Sequence, residues 1–478
     1  MTKTYTSAGR MALPTLISIF FFWGFVAASN DILIPVFKEK LNLLQWQSQM
    51  ISFAFYVAYT VGSVIYYLIS RYSGGDLLNR IGYKNGIAGG LCLSALGTLL
   101  FYPAAESASF PLMITGLFIV GLGFSLQQIA ANPLTIVLGN PKKGSQRLSL
   151  AGGINNVGTT IGPLLVSLAI FGTINSASAH MGNISGVKTP YLILGAAFLV
   201  FAVIFKFSSI PDKIEVSATG ETNDSTSKDR KSVFNYPQLI LGMIAIFVYV
   251  GVEVSTASNL PEYMRQHLHT STEQVAPYIS LFWASLMIGR WTSSVGILNI
   301  RESSKKIFTF LMPFLAFGFF LGVNLLAGHN IEPFYKYPFV ILILIVADYL
   351  SKGNPARQLL IFSTLGIIAL FTGMLTEGLI SVYAFISVGL FCSTLWPCIF
   401  TLAIAGLGKH TNEGAGLLIM MIMGGGIISL LQGILASDAY LGIQWSYLVG
   451  VVCFLYMVFY AVKTKSLLLK QGIDYDKG

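Results

Sequence analysis

The chain has 478 residues, 54% of them hydrophobic and only 10% charged, with a mean hydropathy of +0.71. A soluble globular chain carries about 25% charged residues. A water-surrounded domain is therefore excluded, and the helices must share a hydrocarbon solvent. The net charge of +9 would suit a nucleic-acid partner only if it were clustered. Instead it alternates along the chain in the pattern of a polytopic membrane protein.

The first apolar segment, 14–36, contains the run PTLISIFFFWGFVAASNDILIP, uncharged except for Asp31. About 20 mostly apolar residues cross a bilayer, and a carboxylate at the centre costs roughly 3 kcal/mol on insertion scales. Membrane proteins that keep such a group usually place it on a substrate or ion path. The plainer alternative puts Asp31 near the outer helix end, where it reaches headgroup water. Asn30 stands beside it.

Five further segments follow, at 48–70, 85–104, 110–138, 148–171 and 189–207. The loop GDLLNRIGYKNG, Gly75 to Gly86, joins the second and third. Amides gather in the fourth and fifth: Gln127, Gln128 and Asn132, then Asn155 and Asn156. Gln128 and Asn132 are four apart and share a helix face. An amide offers both donors and acceptors, which suits a ligand covered in hydroxyls. It serves equally to bond neighbouring helices.

The stretch 208–237 is Ser-, Pro- and charge-rich and reads as a cytoplasmic linker. Beyond it lie eight apolar candidates: 238–258, 274–297, 307–327, 335–350, 358–376, 379–407, 414–436 and 445–463. A lone carboxylate, Glu253, occurs in FVYVGVEVSTASNLP. Asn259, Trp283, Trp396 and Gln432 add polar and aromatic walls. An aromatic face packs against the C–H face of a pyranose while amides bond its rim. Most membrane tryptophans are interfacial anchors, but Trp396 precedes Pro397 in the middle of a segment.

Most of the 29 Lys and Arg fall in loops that alternate to one side, and only Lys38, Lys40, Lys188, Arg265 and Lys336 fall in loops on the other. Arg290 sits near a helix end. The positive-inside rule then places both termini in the cytoplasm. The four cysteines lie in apolar segments and read as small buried hydrophobes rather than disulfides or metal ligands. The first apolar run is too long for the core of a cleavable signal. The chain shows no Walker loop, zinc-ligand spacing or nucleophile elbow, and its five histidines fall in predicted loops. No enzyme is expected, and no cofactor beyond a co-transported cation. A membrane sensor would be expected to carry a fused signalling domain.

The expected fold is all-α and polytopic. It has an N-terminal six-helix bundle (1–207), the linker, and a C-terminal bundle (238–478) with an extra hairpin at 335–376, about fourteen helices in all. A weak internal repeat supports the halves: Asn132-Pro133 and Trp396-Pro397 are each followed by an apolar run, a Gly and a basic turn. Parallel half-repeats place substrate near the midplane.

Several blocks together resemble the fucose–glucose–galactose permeases of the major facilitator superfamily. They are FFFWGFVAASNDILIP, LQQIAANPLTIVLG, RLSLAGGINNVGTTIGP, VGVEVSTASNLPEYM and LFCSTLWPCIFTLAIAGLGKHTNEGAGLLIMMIMGGGII. The resemblance implies a monomeric secondary active sugar transporter of the bacterial inner membrane, with no nucleic-acid partner. Its function would be symport of a neutral hexose such as glucose or galactose with H⁺ or Na⁺, by alternating access. Asp31 matches the family's first-helix carboxylate, which implies cation coupling, with Glu253 as a second candidate. Asn155 matches a fifth-helix asparagine near the sugar. Gln128 stands where fucose-specific members have a glutamate, so a two-carboxylate relay is absent. In the loop Gly75–Gly86, Asn79 stands where an acidic residue is commoner, and Ser429 where an eleventh-helix proline is common. Alternatives within the superfamily are a permease for fucose, mannose or an amino sugar, and a drug–proton antiporter, the latter prompted by GTTIGP at Gly158–Pro163.

Overall fold

The computed structural model describes residues 12–40, 45–73, 75–107, 109–171, 188–212, 232–270, 272–298 and 300–476, and its regular structure is helical throughout. We number the main helices α1 (Ala12–Lys40), α2 (Gln45–Tyr72), α3 (Tyr83–Leu99, continued by Phe101–Glu106), α4 (Phe110–Val137), α5 (Gly144–Phe171) and α6 (Lys188–Lys206). After the linker come α7 (Pro237–Leu268), α8 (Thr272–Ser294), α9 (Glu302–Leu326), α10 (Pro338–Ser351) and α11 (Pro355–Leu375). The last five are α12 (Gly378–Cys392), α13 (Leu395–Ile404), α14 (Thr411–Met420), α15 (Gly424–Leu435) and α16 (Leu448–Lys470). Among the described residues nine helical spans are long and apolar enough to cross a membrane, and three shorter apolar helices add to them.

Local sequence sets several of these boundaries. Proline stands in the first turn of α4, α7, α10 and α11, where its missing N–H costs nothing and its φ is already helical. Ser109 caps α4, and Asn354 caps α11 by accepting from the amides of Ala356 at 3.0 Å and Arg357 at 3.1 Å. Pro397 breaks the predicted segment 379–407 into α12 and α13, with Ser393 and Thr394 between them. A 3₁₀ turn, Met421–Met423, separates α14 from α15. That break falls before Gly424, where an added Cβ would lie 2.1 Å from the Phe247 carbonyl oxygen. The bend therefore lies several residues ahead of Ser429.

The chain forms two compact units. The first comprises Met1–Leu138, Val157–Val216 and Lys409–Met420; the second comprises Gly139–Asn156, Ser217–Gly408 and Met421–Gly478. Helix α5 thus passes from the second unit to the first after Asn156, and α14 belongs with the first.

In the first unit α3 packs on α4 and α6, and α2 packs on α4. The α3–α4 contact is built from glycines seven apart on each helix. A Cβ at Gly97 would lie 2.6 Å from the Gly116 oxygen, and one at Gly123 would lie 2.5 Å from the Gly90 oxygen. Lipid gives helices no hydrophobic reason to associate, so close backbone approach through small residues supplies the contact. The same device joins α5 to α1: Gly158 and Gly162 face the backbone of Phe21 and Phe25. The glycines of GTTIGP are therefore accounted for by helix packing.

At the end of α2, Asp76 gathers three donors. It accepts from the Asn79 amide at 2.9 Å, the Tyr66 hydroxyl at 2.7 Å and Asn412 Nδ2 at 2.9 Å. Tyr83 donates its hydroxyl to Asn412 Oδ1. The carboxylate missing at Asn79 is thus supplied three residues earlier, where it also caps a short helical turn.

In the second unit α7 is central, packing on α12, α13, α15 and α16. Helix α11 packs on α12, α13 and α16, as α3 packs on α4 and α6 in the first unit. Helix α9 packs mainly on α8, and α10 touches α8, α9 and α11. The tail after α16 folds back: Gln471 and Gln238 exchange side-chain hydrogen bonds at 3.1 and 3.2 Å, and Asp476 pairs with Lys465 at 2.6 Å and Arg357 at 2.8 Å. The hydrogen bond from Lys465, reinforced by both positive charges and Asn354, holds the Asp476 carboxyl below the usual range.

The cysteines are free thiols, with Cys392, Cys398 and Cys453 buried, but Cys92 lies on an exposed face of α3 rather than inside. An apolar bundle turns such small side chains toward lipid at no cost. His267 falls in the last turn of α7 rather than in a loop.

Candidate functional site

In the first unit the amides of α4 divide by depth. Gln127 is fully buried; its Oε1 accepts from Trp23 Nε1 at 2.9 Å and its Nε2 donates to Ser94 at 3.0 Å. Both ends of that amide serve helix packing. Gln128 is half-buried and donates to the Tyr59 hydroxyl at 3.1 Å. Asn132, one turn on, is buried, and its Nδ2 has no hydrogen-bond partner among the described residues. An open donor in an apolar bundle costs about 1–3 kcal/mol, a cost that a hydroxyl-bearing ligand removes. Asn30 and Asp31 belong to α1, but the placement of their side chains lies outside the described residues.

The second unit brings more of the expected residues together. Glu253 is half-buried on α7, one turn after Tyr249. Tyr249 is buried, and its ring lies 6.2 Å from that of Trp396. Trp396 is half-buried and also meets Phe400. An aromatic pair thus stands one helical turn from the carboxylate-bearing position of α7.

Arg290 lies on α8. Its Nε donates to the Ser393 carbonyl at 3.0 Å, and its guanidinium also donates to Asn156 Oδ1 at 2.7 Å and the Gly152 carbonyl at 3.3 Å. Asn155, half-buried, precedes Asn156 on the same stretch of α5. Three of the expected residues have other settings in the same unit. Asn259 donates to the Ser255 carbonyl at 2.8 Å, one turn back on α7. Gln432 is buried and donates to Ser446, with its Oε1 open. Trp283 stands edge-on to Phe282 and is half-buried.

Sequence reasoning missed Tyr249 and Arg290. Tyr249 carried a usable signal, since it lies four residues before the lone carboxylate and so on its face. Arg290 gave none, because its helix-end position reads equally as topology.

The sequence pattern of the Major Facilitator Superfamily matches residues 15–347. The chain belongs to the Major Facilitator Superfamily. It is 33% identical over 455 residues to the glucose/galactose transporter of Brucella abortus, covering 94% of this chain and 93% of that one. The L-fucose-proton symporter of Escherichia coli K12 is 27% identical over 461 residues, covering 93% and 91%. Among solved structures, the major facilitator transporter FucP in its outward conformation superposes with a TM-score of 0.70 over 95% of this chain and 99% of that one, at 24% identity. This facilitator is a multi-pass membrane transporter and not an enzyme.

Gln128 is the amide best placed to report on access, being half-buried beside the open donor of Asn132. Gln128→Glu puts a titratable group on that face, and transport is expected to gain a several-fold dependence on pH between mildly acidic and neutral buffer. Identical pH–rate profiles for the variant and the parent in reconstituted vesicles would remove Gln128 from the path.

Proposed function

We propose that this chain is a symporter that couples uptake of a neutral hexose to an H⁺ or Na⁺ gradient by alternating access. The observation that carries the reading is the Trp396 ring 6.2 Å from that of Tyr249, which stands one turn before Glu253 on α7, in a unit that also holds Asn155 and Asn156. An aromatic platform with phenol, amide and carboxylate neighbours suits the apolar face and hydroxyl rim of a pyranose. The similarity to a glucose/galactose transporter and an L-fucose-proton symporter supports the same substrate class. Asp31 and Glu253 are the proposed cation-coupling groups. The transporter is placed in a bacterial inner membrane as a monomer with both termini cytoplasmic.

Fourteen spans are proposed, with α9 and α10 as the hairpin added to two six-helix halves. This replaces 335–376 as the insertion. The support is packing: α11 holds in its bundle the place that α3 holds in the other, whereas α9 rests mainly on α8.

Uptake of a labelled hexose panel into proteoliposomes, with each ion gradient imposed separately, tests the function. Accumulation of glucose or galactose under one gradient is expected. Accumulation of none of the hexoses under either gradient refutes the reading, and preference for fucose or an amino sugar reassigns the substrate. Asn155→Ala is expected to weaken hexose binding several-fold to many-fold, at about 1–3 kcal/mol per hydrogen-bonding group left unpaired. Unaltered affinity in the folded variant, read by titration calorimetry, removes Asn155 from the site.

A further inference from the structure

Asp348 is a carboxylate of the second unit with no part in the transport reading. It stands half-buried in the last turn of α10, where the negative end of the helix dipole disfavours an anion and apolar neighbours add to the cost. Its own helix gives no reason for it. The reason lies on α11, where Gln358 Nε2 donates to Asp348 Oδ1 at 3.0 Å. Gln358 is buried, and both ends of its amide are engaged. The same Nε2 donates to Ser293 Oγ on α8 at 3.4 Å, and Oε1 accepts from Cys398 Sγ on α13 at 3.5 Å. An ionised carboxylate only accepts, so Asp348 draws the NH₂ end to itself and leaves the carbonyl end turned to α13.

Helix α13 needs such a tether. Ser393 and Thr394 separate it from α12, so its rotation about its own axis is not inherited from the preceding helix. Pro397 has no N–H to offer the Ser393 carbonyl, and Arg290 Nε takes that oxygen at 3.0 Å instead. That bond fixes the break and leaves the helix beyond it free to turn. Cys398 is fully buried and lies two residues after Trp396, about 200° round a helix of 3.6 residues per turn. Holding the thiol against Gln358 therefore turns the indole to the opposite side, where it lies 6.2 Å from the Tyr249 ring.

We propose that Gln358 is a positioning residue for Trp396: oriented by Asp348, its amide holds Cys398 and so sets the rotation of α13 that presents the indole. A thiol is a weak donor, but the tether does not rest on the strength of that bond alone. A buried amide carbonyl left without a donor is costly, which favours the rotation that keeps Cys398 against Gln358 over those that part them. Helix α10 thereby gains a part in the site without touching it. This role deepens the hexose reading and rests on Trp396 as its aromatic platform.

Fluorine resonance reads Trp396 directly. The full chain, labelled with 5-fluorotryptophan and reconstituted in lipid nanodiscs, carries six tryptophans, and Trp396→Phe identifies the resonance of interest. Gln358→Met, close in length and without the hydrogen bonds, is expected to displace that resonance by more than its linewidth. It should also weaken glucose or galactose binding several-fold, with the Trp23 and Trp445 resonances in place. Cys398→Ala and Asp348→Leu are expected to displace the Trp396 resonance in the same direction. Asp348→Asn keeps a side-chain carbonyl that accepts from Gln358 and should fall between Asp348→Leu and the parent. A Trp396 resonance at the parent position in both Gln358→Met and Cys398→Ala overturns the proposal, as does one that these two displace and Asp348→Leu does not. Movement of the Trp23 and Trp445 resonances by a similar amount also overturns it, and assigns Gln358 to general packing. Should Gln358→Met fail to fold, Cys398→Ala carries the same outcomes. Displacement of Trp396 in a chain whose parent accumulates no hexose refutes the transport reading and leaves the positioning role standing; hexose accumulation with an unmoved resonance does the reverse.

Discussion

Asp31→Asn is expected to abolish gradient-driven hexose accumulation while sparing exchange of hexose across the membrane. A carboxylate beside Asn30 binds a proton or brings a negative charge to Na⁺; an amide of nearly the same shape takes up no proton and brings no charge. The groups proposed to bind sugar lie on other helices and keep their form. The internal hexose should therefore settle at the external concentration, whatever gradient is imposed, while counterflow of labelled sugar continues at a measurable rate. The two assays separate the roles cleanly. Accumulation at the parent level removes Asp31 from coupling. Loss of counterflow together with loss of folded protein assigns the carboxylate to holding helices together.

Gly123→Leu should have the largest effect on the fold. The added Cβ alone would lie 2.3 Å from Ser94 Oγ and 2.5 Å from the Gly90 carbonyl oxygen. Overpacking a well-filled core costs about 1–3 kcal/mol when side chains can adjust; here one neighbour is backbone, so α3 and α4 must separate. Separation also disturbs Ser94, which receives the Gln127 hydrogen bond. Little monodisperse protein should survive detergent extraction, as judged by size-exclusion chromatography. At Gly89, on the facing helix α3, an added Cβ meets nothing within 4 Å, and Gly89→Ala should extract like the parent. A normal yield of Gly123→Leu would show that the glycine contact does not hold the two helices together.

The sequence by itself determined that the chain is an all-helical membrane protein and where most of its spans lie. Those properties are local. A span is a run of apolar residues, and a lone Asp31 or Glu253 stands out because its neighbours cannot pay for it in hydrocarbon. Of the two prolines in the Asn-Pro and Trp-Pro repeat, Pro397 follows a helix break while Pro133 lies inside the continuous α4. Gln127 and Gln128 show where local reading stops. They are adjacent in the chain and equal in chemistry, yet one is fully engaged between Trp23 and Ser94 while the other is half-buried against Tyr59. Only the rotation of α4 against its neighbours separates them. Tertiary structure also supplied Asp76 in place of the acid missing at Asn79, and it gave Arg290 its partners. Three of that guanidinium's hydrogen bonds go to residues more than 100 positions away in the chain, and no periodicity or composition along a single helix records a partner at that range.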